Sequence, residues 1–255
     1  MKPIQIVMPM AGQGQRFADA GYALPKPLLP VGGVPMVVRA ILDLPRADRV
    51  VLLVRTEHIE RHGLDRAVLA HVPHAVVVPV RSLTEGQACT VRLAAPHLDP
   101  EAPVIVAACD NSHVYDQDRL LARMADPAVE ALVWTYRDDP RVLARPTAYG
   151  WVRTFGAADP LRVASVSCKV PISATPMDDH AVSGFFSFRS AARMVAAIDR
   201  QTAAGTRVNG EFYMDTVPNV LVGDGARVEV FEVARYIGWG TPAEYEAWRA
   251  EHRDG

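Results

Sequence analysis

An α/β fold built on a mainly parallel sheet is what this sequence predicts, and three observations carry that prediction. Short β-branched runs alternate with helix-like stretches through the first half of the chain. The runs are continuously apolar, as strands covered on both faces must be, where half-exposed strands would alternate. The intervening stretches have helical length and helical start signals, which favours crossover connections between parallel strands.

The elements follow in order. Strands are expected at 4–7, at 49–54 (RVVLLV), at 75–80 (AVVVPV) and at 103–108 (PVIVAA). Helices are expected at 35–44, 59–70 and 86–98, with Pro35 suited to a first turn, where its missing N–H costs nothing. The second half is less regular. Strands are expected at 129–137, 148–154, 162–167, 181–188 and 227–233, with 138–147 a charged loop. A helix at 191–204 stops at Gly205, and 211–222 reads as helical, with Pro218 kinking it or starting its second part. Thr241-Pro242 opens a terminal helix with an N-cap and an N1 proline. No repeat or linker divides the 255 residues, so the chain reads as one domain, 1–115 forming one half and 116–255 adding a mixed sheet.

Composition narrows the function classes. Hydrophobic residues make up 49% and charged residues 22%, an ordinary globular profile with a core large enough to need no disulfides. A formal net charge of −2 gives no basic field for nucleic acid. Cys89, Cys109 and Cys168 lie far apart among apolar or small neighbours, and are expected to be reduced core residues. No stretch approaches the length of a bilayer span, and the N-terminal apolar run is too short for a signal peptide, so no membrane partner and a cytoplasmic location are expected.

The informative stretch runs from Pro9 to Gly33, PMAGQGQRFADAGYALPKPLLPVGG. It follows the first strand, and ligands of open α/β sheets bind beyond the carboxyl ends of strands. Gly12 and Gly14 let the backbone approach a phosphate or base closely. A dinucleotide fingerprint fails, because Phe17 stands where its third glycine would be, and a Walker loop is absent. What remains is two cations, Arg16 and Lys26. Pro25 and Pro27 restrict the backbone on both sides of Lys26, so the lysine can be held toward a polyphosphate.

These residues resemble the signature of the sugar-nucleotide pyrophosphorylases, nucleotidyltransferases that join a nucleoside triphosphate to a phosphorylated small molecule. The family pattern A-G-x-G-x-R-[LFM], P-K-x-[LM], G-x-P-[LM] is matched by Ala11 to Phe17, Pro25 to Leu28 and Gly33 to Met36. The form is similar to short cytidylyltransferase-like members of capsule loci. The resemblance implies a Rossmann-like three-layer fold of the nucleotide-diphospho-sugar transferase type, with Ala11, Gly12 and Gly14 on the nucleotide. Thr84-Glu85-Gly86-Gln87-Ala88 resembles the family's second nucleotide loop, which makes Glu85, Gly86 and Gln87 candidates for reading the base. Asp110 sits at the family's metal-binding aspartate, and Mg²⁺ prefers such hard oxygen donors.

On the acceptor side, Tyr149-Gly150-Trp151-Val152 resembles the family's Y-G-x-V, and Lys169 aligns with a lysine that grips the acceptor's phosphate. Cys168 replaces a common glutamate there, which makes a hexose 1-phosphate acceptor less assured. Gly184 borders the acceptor pocket by the same likeness. Glu211 and Asp215, one turn apart on the expected helix, serve acceptor, metal or cap. The family's late carboxylate before G-T is missing from Tyr236-Ile237-Gly238-Trp239-Gly240-Thr241, so Asp215, or waters and phosphates, would complete the Mg²⁺ shell. Trp239 either stacks on a substrate or closes the core.

The implied chemistry is attack by an acceptor phosphate or phosphonate oxygen on the α-phosphorus of the triphosphate, expelling pyrophosphate. Arg16 and Lys26 would be its catalytic residues, and no general base is needed because the acceptor is already ionised. CTP is slightly preferred as the triphosphate, for cell-surface polysaccharide or related synthesis. A silent nucleotide-binding subunit and a nucleotide-sugar-dependent glycosyltransferase are the alternatives. The latter lacks a D-x-D motif, since Asp110-Asn111-Ser112 stands in its place. Oligomeric state is left open.

Overall fold

The computed structural model describes residues 2–156 and 159–252. Its strands are β1 Gln5–Met10, β2 Pro30–Val31, β3 Val34–Pro35, β4 Arg49–Arg55, β5 Ala75–Val80, β6 Val104–Val106 and β7 Asn111–Val114, followed by β8 Ala131–Tyr136, β9 Gly150–Phe155, β10 Arg162–Cys168, β11 His180–Phe188, β12 Val228–Glu232 and β13 Arg235–Gly238. Among the described residues, nine strands form one sheet in the order β5-β4-β1-β6-β11-β8-β12-β10-β9. β1 pairs in parallel with β4 and β6, so Val7 lies opposite both Val51 and Val106. β10 and β11 run against their neighbours and make the sheet mixed. Because β6 and β8 both pair antiparallel with β11, they point the same way, and the carboxyl ends of β1, β4, β6 and β8 share one rim.

Continuous apolar strands are explained by what covers them. Ile6, Met8, Val50, Leu52 and Val54 join one core, while Val7, Val51 and Leu53 join the other. Helices Met36–Leu42 and Pro242–Glu251 cover the first face through Val37, Ile41 and Tyr245. Helices Gln87–Arg92 and Ala191–Ala203 cover the second through Val91, Met194 and Ile198. The three-layer expectation holds, and no helix among the described residues is long and apolar enough to cross a membrane.

Several local expectations are corrected. The helix expected over 59–70 is two, Thr56–His62 and Leu64–Leu69, because Gly63 adopts φ 62° between them. The stretch 86–98 is helical only to Arg92 before a 3₁₀ turn at Ala95–His97. The stretch 211–222 is not one helix. Asn209 and Gly210 have positive φ, Glu211 bridges back to Val208, and Met214–Thr216 is a 3₁₀ turn. The helix itself is Val217–Gly223, with Pro218 in its first turn, the place where a missing N–H is harmless. Glu211 and Asp215 therefore do not share a helical face. Unforeseen among the described residues are helix Gln117–Ala125, helix Gln15–Asp19, the β7–β13 and β2–β3 ribbons, and a short helix, Arg141–Ala144, inside the stretch 138–147 expected to be a loop. Of the cysteines, Cys109 and Cys168 are buried as expected, but Cys89 is only partly covered.

Helix Gln117–Ala125 is fastened to the sheet by charge. Glu229 on β12 is fully buried and accepts from Arg123 Nε at 2.9 Å and from Arg227 Nε at 2.6 Å. Removing one partner of such a group leaves a buried charge under-compensated. Arg123→Ala is expected to lower stability by about 3 kcal/mol, read as a fall in the urea midpoint. A midpoint equal to wild type would show that Arg227 alone satisfies Glu229.

Candidate active site

The loop after β1 turns at Gly14, whose φ of 64° makes it the left-handed cap of the short helix Gln15–Asp19. Phe17 buries beneath that turn, with Tyr22 at 5.2 Å and Tyr245 at 6.1 Å between ring centroids, and this anchors the loop. Lys26 begins the 3₁₀ turn Lys26–Leu28 between its two prolines, with Pro27 buried. Its ammonium donates to Asp110 Oδ2 at 2.5 Å. The two residues, 84 positions apart, thus meet at the carboxyl ends of β1 and β6.

Burial works against the charge on Lys26, but the Asp110 carboxylate outweighs it and holds the ammonium above the ordinary lysine value. Lys26 is therefore charged throughout the physiological range. The charge of Arg16 acts on Lys26 in the opposite sense. Arg16 itself is exposed on its helix and makes no ion pair among the described residues.

A cavity of about 530 Å³ opens here. Gly12, Gly14, Lys26, Gln87, Cys109 and Asp110 line it. The expected residues Gly12, Gly14, Lys26, Gln87 and Asp110 are thereby brought together. Ala11 is buried immediately beneath. Glu85 is drawn elsewhere, accepting from Arg207 at 2.6 Å. Gly86 packs against the backbone of Phe212, where even a Cβ would come within 2.5 Å of the Phe212 N and O atoms.

Arg55 at the end of β4, with Glu57, His58 and His62 from the helix after it, completes the wall, and sequence reasoning missed them. Burial and the neighbouring Arg55 charge push the His58 imidazolium down, so the ring stays neutral near pH 7. The signal was available, because residues directly after a parallel strand's carboxyl end belong to the ligand rim. It was obscured because the helix was expected to start at Ile59.

Of the acceptor-side stretches, Gly150, Cys168 and Lys169 gather around Asp215. Its carboxylate fills the space that a side chain at Gly150 would need, and it accepts from the Cys168 thiol. Lys169, at φ 63°, donates to the Ala148 carbonyl at 2.6 Å and stands 5.4 Å from the Tyr213 ring centroid. The glycine expected to admit the acceptor thus makes room for Asp215. On Gly184, at φ 88° in the irregular stretch of β11, a Cβ would lie 3.7 Å from Ala108 Cβ and 3.8 Å from Asn111 Nδ2. Glu211 is exposed and hydrogen-bonds to Tyr213. Trp239 is buried against Trp248 at 6.0 Å, the core role of the two considered.

Burial raises the Asp215 carboxyl above the ordinary aspartate value, against the opposing pull of Lys169 and of the Cys168 hydrogen bond. A raised folded value means stability that is present at acid pH and lost as pH climbs through that value. Asp215→Asn should therefore gain stability relative to wild type as pH rises from 4 to 8, in melts across that series. A wild-type advantage growing with pH would show instead that the charged carboxylate is the satisfied form.

Among the described residues no three His, Cys, Asp or Glu side chains gather closely enough to hold a metal by themselves. A glycine loop, a held lysine and a carboxylate thus surround one cavity, and the sequence profile of the MobA-like NTP transferase domain matches residues 6–206. The chain belongs to that family.

As a member of the MobA-like NTP transferases, it is 28% identical over 188 residues to the bifunctional protein GlmU of Burkholderia thailandensis. That match takes in 68% of this chain and 38% of GlmU, so the chain spans well under half of that relative. Its structure is similar to the nucleoside-diphosphate-sugar pyrophosphorylase of Vibrio cholerae RC9, with a TM-score of 0.77 at 21% identity over 95% of this chain and 98% of that one. It is also similar to the inositol-1-phosphate CTP transferase of T. maritima, with a TM-score of 0.70 at 15% identity over 98% and 96%. These likenesses establish the Rossmann-like three-layer fold that the sequence resemblance implied.

Proposed function

We propose that this NTP transferase moves a nucleotidyl group from a nucleoside triphosphate to a phosphorylated small molecule, a sugar 1-phosphate or a similar phosphate or phosphonate, releasing pyrophosphate. The Lys26–Asp110 pair at the mouth of a glycine-lined cavity is the observation that carries this reading. CTP is the triphosphate we favour. The MAGQGQRF and GYALPKP stretches support it by their resemblance to short cytidylyltransferase-like members, and the fold shared with an inositol-1-phosphate CTP transferase is compatible with it.

In this reading Gly12 and Gly14 admit the triphosphate to the backbone of the loop. Lys26, charged and stiffly mounted, holds an α-phosphate oxygen as a point charge, and Arg16 swings its unpaired guanidinium onto the departing pyrophosphate. Lys169 orients the acceptor phosphate, whose ionised oxygen is the nucleophile. It attacks the α-phosphorus in line as the α–β bridging oxygen leaves with pyrophosphate. Such transfer asks little covalent chemistry of the protein, so position and neutralisation of charge supply most of the acceleration.

The residues present fit Mg²⁺. Asp110 is a hard oxygen donor on the cavity wall, Gly240 leaves open the space above its carboxylate, and Mg²⁺ typically takes one or two carboxylates with phosphates and waters. Asp110 would hold the ion, which neutralises triphosphate charge when bound.

The decisive experiment is a pyrophosphate-release screen of CTP, UTP, GTP, ATP and dTTP against a panel of phosphorylated acceptors with Mg²⁺. One active pair, lost in Asp110→Asn, is the expected result. Absence of both release and triphosphate binding would overturn the reading.

A further inference from the structure

We propose that Glu244 is the second carboxylate of the metal–triphosphate site, delivered from the first turn of the terminal helix, where the strand end at 236–241 has none. This rests on the transferase reading above.

The geometry begins at two glycines. A Cβ built on Gly240 would lie 3.0 Å from Asp110 Oδ2 and 3.7 Å from Glu244 Oε2. Both carboxylates thus border the space over Gly240, and Asp110 Oδ2 and Glu244 Oε2 are separated by no more than those two distances together. A Cβ on Gly238 would lie 3.1 Å from Glu244 Oε1. The Glu244 carboxylate therefore fills the space that a side chain at 238 would take. The Asp110 main chain is tied to the same segment, its carbonyl accepting from Trp239 N at 2.8 Å.

Glu244 has a structural task as well, which occupies Oε2 and leaves Oε1 without a hydrogen-bond donor among the described residues. It is the N3 residue of the capping box on helix Pro242–Glu251, its Oε2 accepting from Thr241 N and Oγ1 at 2.9 Å each. The cap holds the side chain in one rotamer and leaves Oε1 facing Gly238. Lys26 already compensates Asp110, whereas Glu244 makes no ion pair among the described residues. The Tyr236 ring borders the same space, its Cε1 lying 2.8 Å from the Cβ built on Gly238. Two carboxylates over a glycine-cleared patch, only one of them paired, suit a small divalent cation whose other ligands are phosphate oxygens and water. Asp215, the alternative that the sequence offered, is instead enclosed with Gly150, Cys168 and Lys169.

The test reads metal binding without turnover. Mn²⁺ would be titrated into the full chain by EPR, with and without inorganic pyrophosphate, for wild type, Glu244→Gln, Asp110→Asn and Asp215→Asn. Glutamine keeps the capping box, so Glu244→Gln should retain the wild-type melting temperature while its Mn²⁺ affinity falls about tenfold or more. Asp110→Asn should fall likewise and Asp215→Asn should bind as wild type. Wild-type affinity in Glu244→Gln overturns the proposal, as does a loss confined to Asp215→Asn or a wild-type chain that binds no Mn²⁺ in either condition. Mn²⁺ binding through Glu244, in a chain that releases no pyrophosphate from any triphosphate, would sink the transferase reading and leave this one standing.

Discussion

Lys26→Ala is expected to cost about 10²–10³ in turnover, the scale of removing one charge-stabilising donor from a transition state. The argument rests on mounting as much as on charge. A surface lysine samples many rotamers, and most of its attraction for phosphate is spent in ordering it. Lys26 has that ordering supplied by the 3₁₀ turn, by the flanking prolines and by Asp110 at 2.5 Å. The ammonium is thus in place before substrate arrives, and its contribution falls on kcat more than on KM. Steady-state pyrophosphate release measures the split. Because Asp110 loses its partner in Lys26→Ala, the double variant with Asp110→Asn is the needed control: two residues acting as one unit should lose little more together than singly. Near-wild-type kcat in Lys26→Ala would remove it from the catalytic residues.

Gly86→Ala should be the most damaging single-methyl change in the molecule, costing about 3–5 kcal/mol in stability. Gly86 has φ 131°, where side chains are strained, and the added Cβ would lie 2.5 Å from both N and O of Phe212. Those two atoms are the ones that lock the loop, since Phe212 N donates to Glu85 O and Ala88 N donates to Phe212 O, both at 2.9 Å. The methyl cannot enter without separating the pair, and each buried group left unsatisfied costs about 1–3 kcal/mol. Gln87 then leaves the cavity wall, so triphosphate affinity should fall with stability. Urea unfolding and a binding titration on the same sample read both. A stability within about 1 kcal/mol of wild type would mean that Phe212 yields freely and that the loop owes nothing to it.

The sheet was legible because its strands are buried on both faces, a condition written in consecutive residues: RVVLLV and AVVVPV need no distant information to be read. The loop after β1 was legible for a similar reason, with Gly12, Gly14, Arg16 and Lys26 all within fifteen positions and the prolines beside the lysine. Helix Gln117–Ala125 was harder, because only Leu120 and Met124 are fully buried among mostly polar or small residues, while its fastening to Glu229 comes from a strand more than a hundred residues on. The helix expected from Glu211 failed because Asn209 and Gly210 turn the chain left-handed to bring Phe212 against Gly86, a demand that local propensity does not record.

By itself, then, the sequence determined the class of fold, the rim on which the glycine loop lies and the two cations of that loop, all consequences of local pattern. Only the tertiary structure decided who stands beside whom. It paired Lys26 with Asp110, closed the cavity with Arg55 and His58, seated Asp215 against Gly150 instead of on a helix with Glu211, and laid Glu244 over the two glycines near Asp110. Apart from Glu244 and its neighbouring glycines, each of these is a contact between segments far apart in the chain, set by how helices pack on the sheet, and no short window of sequence contains both partners.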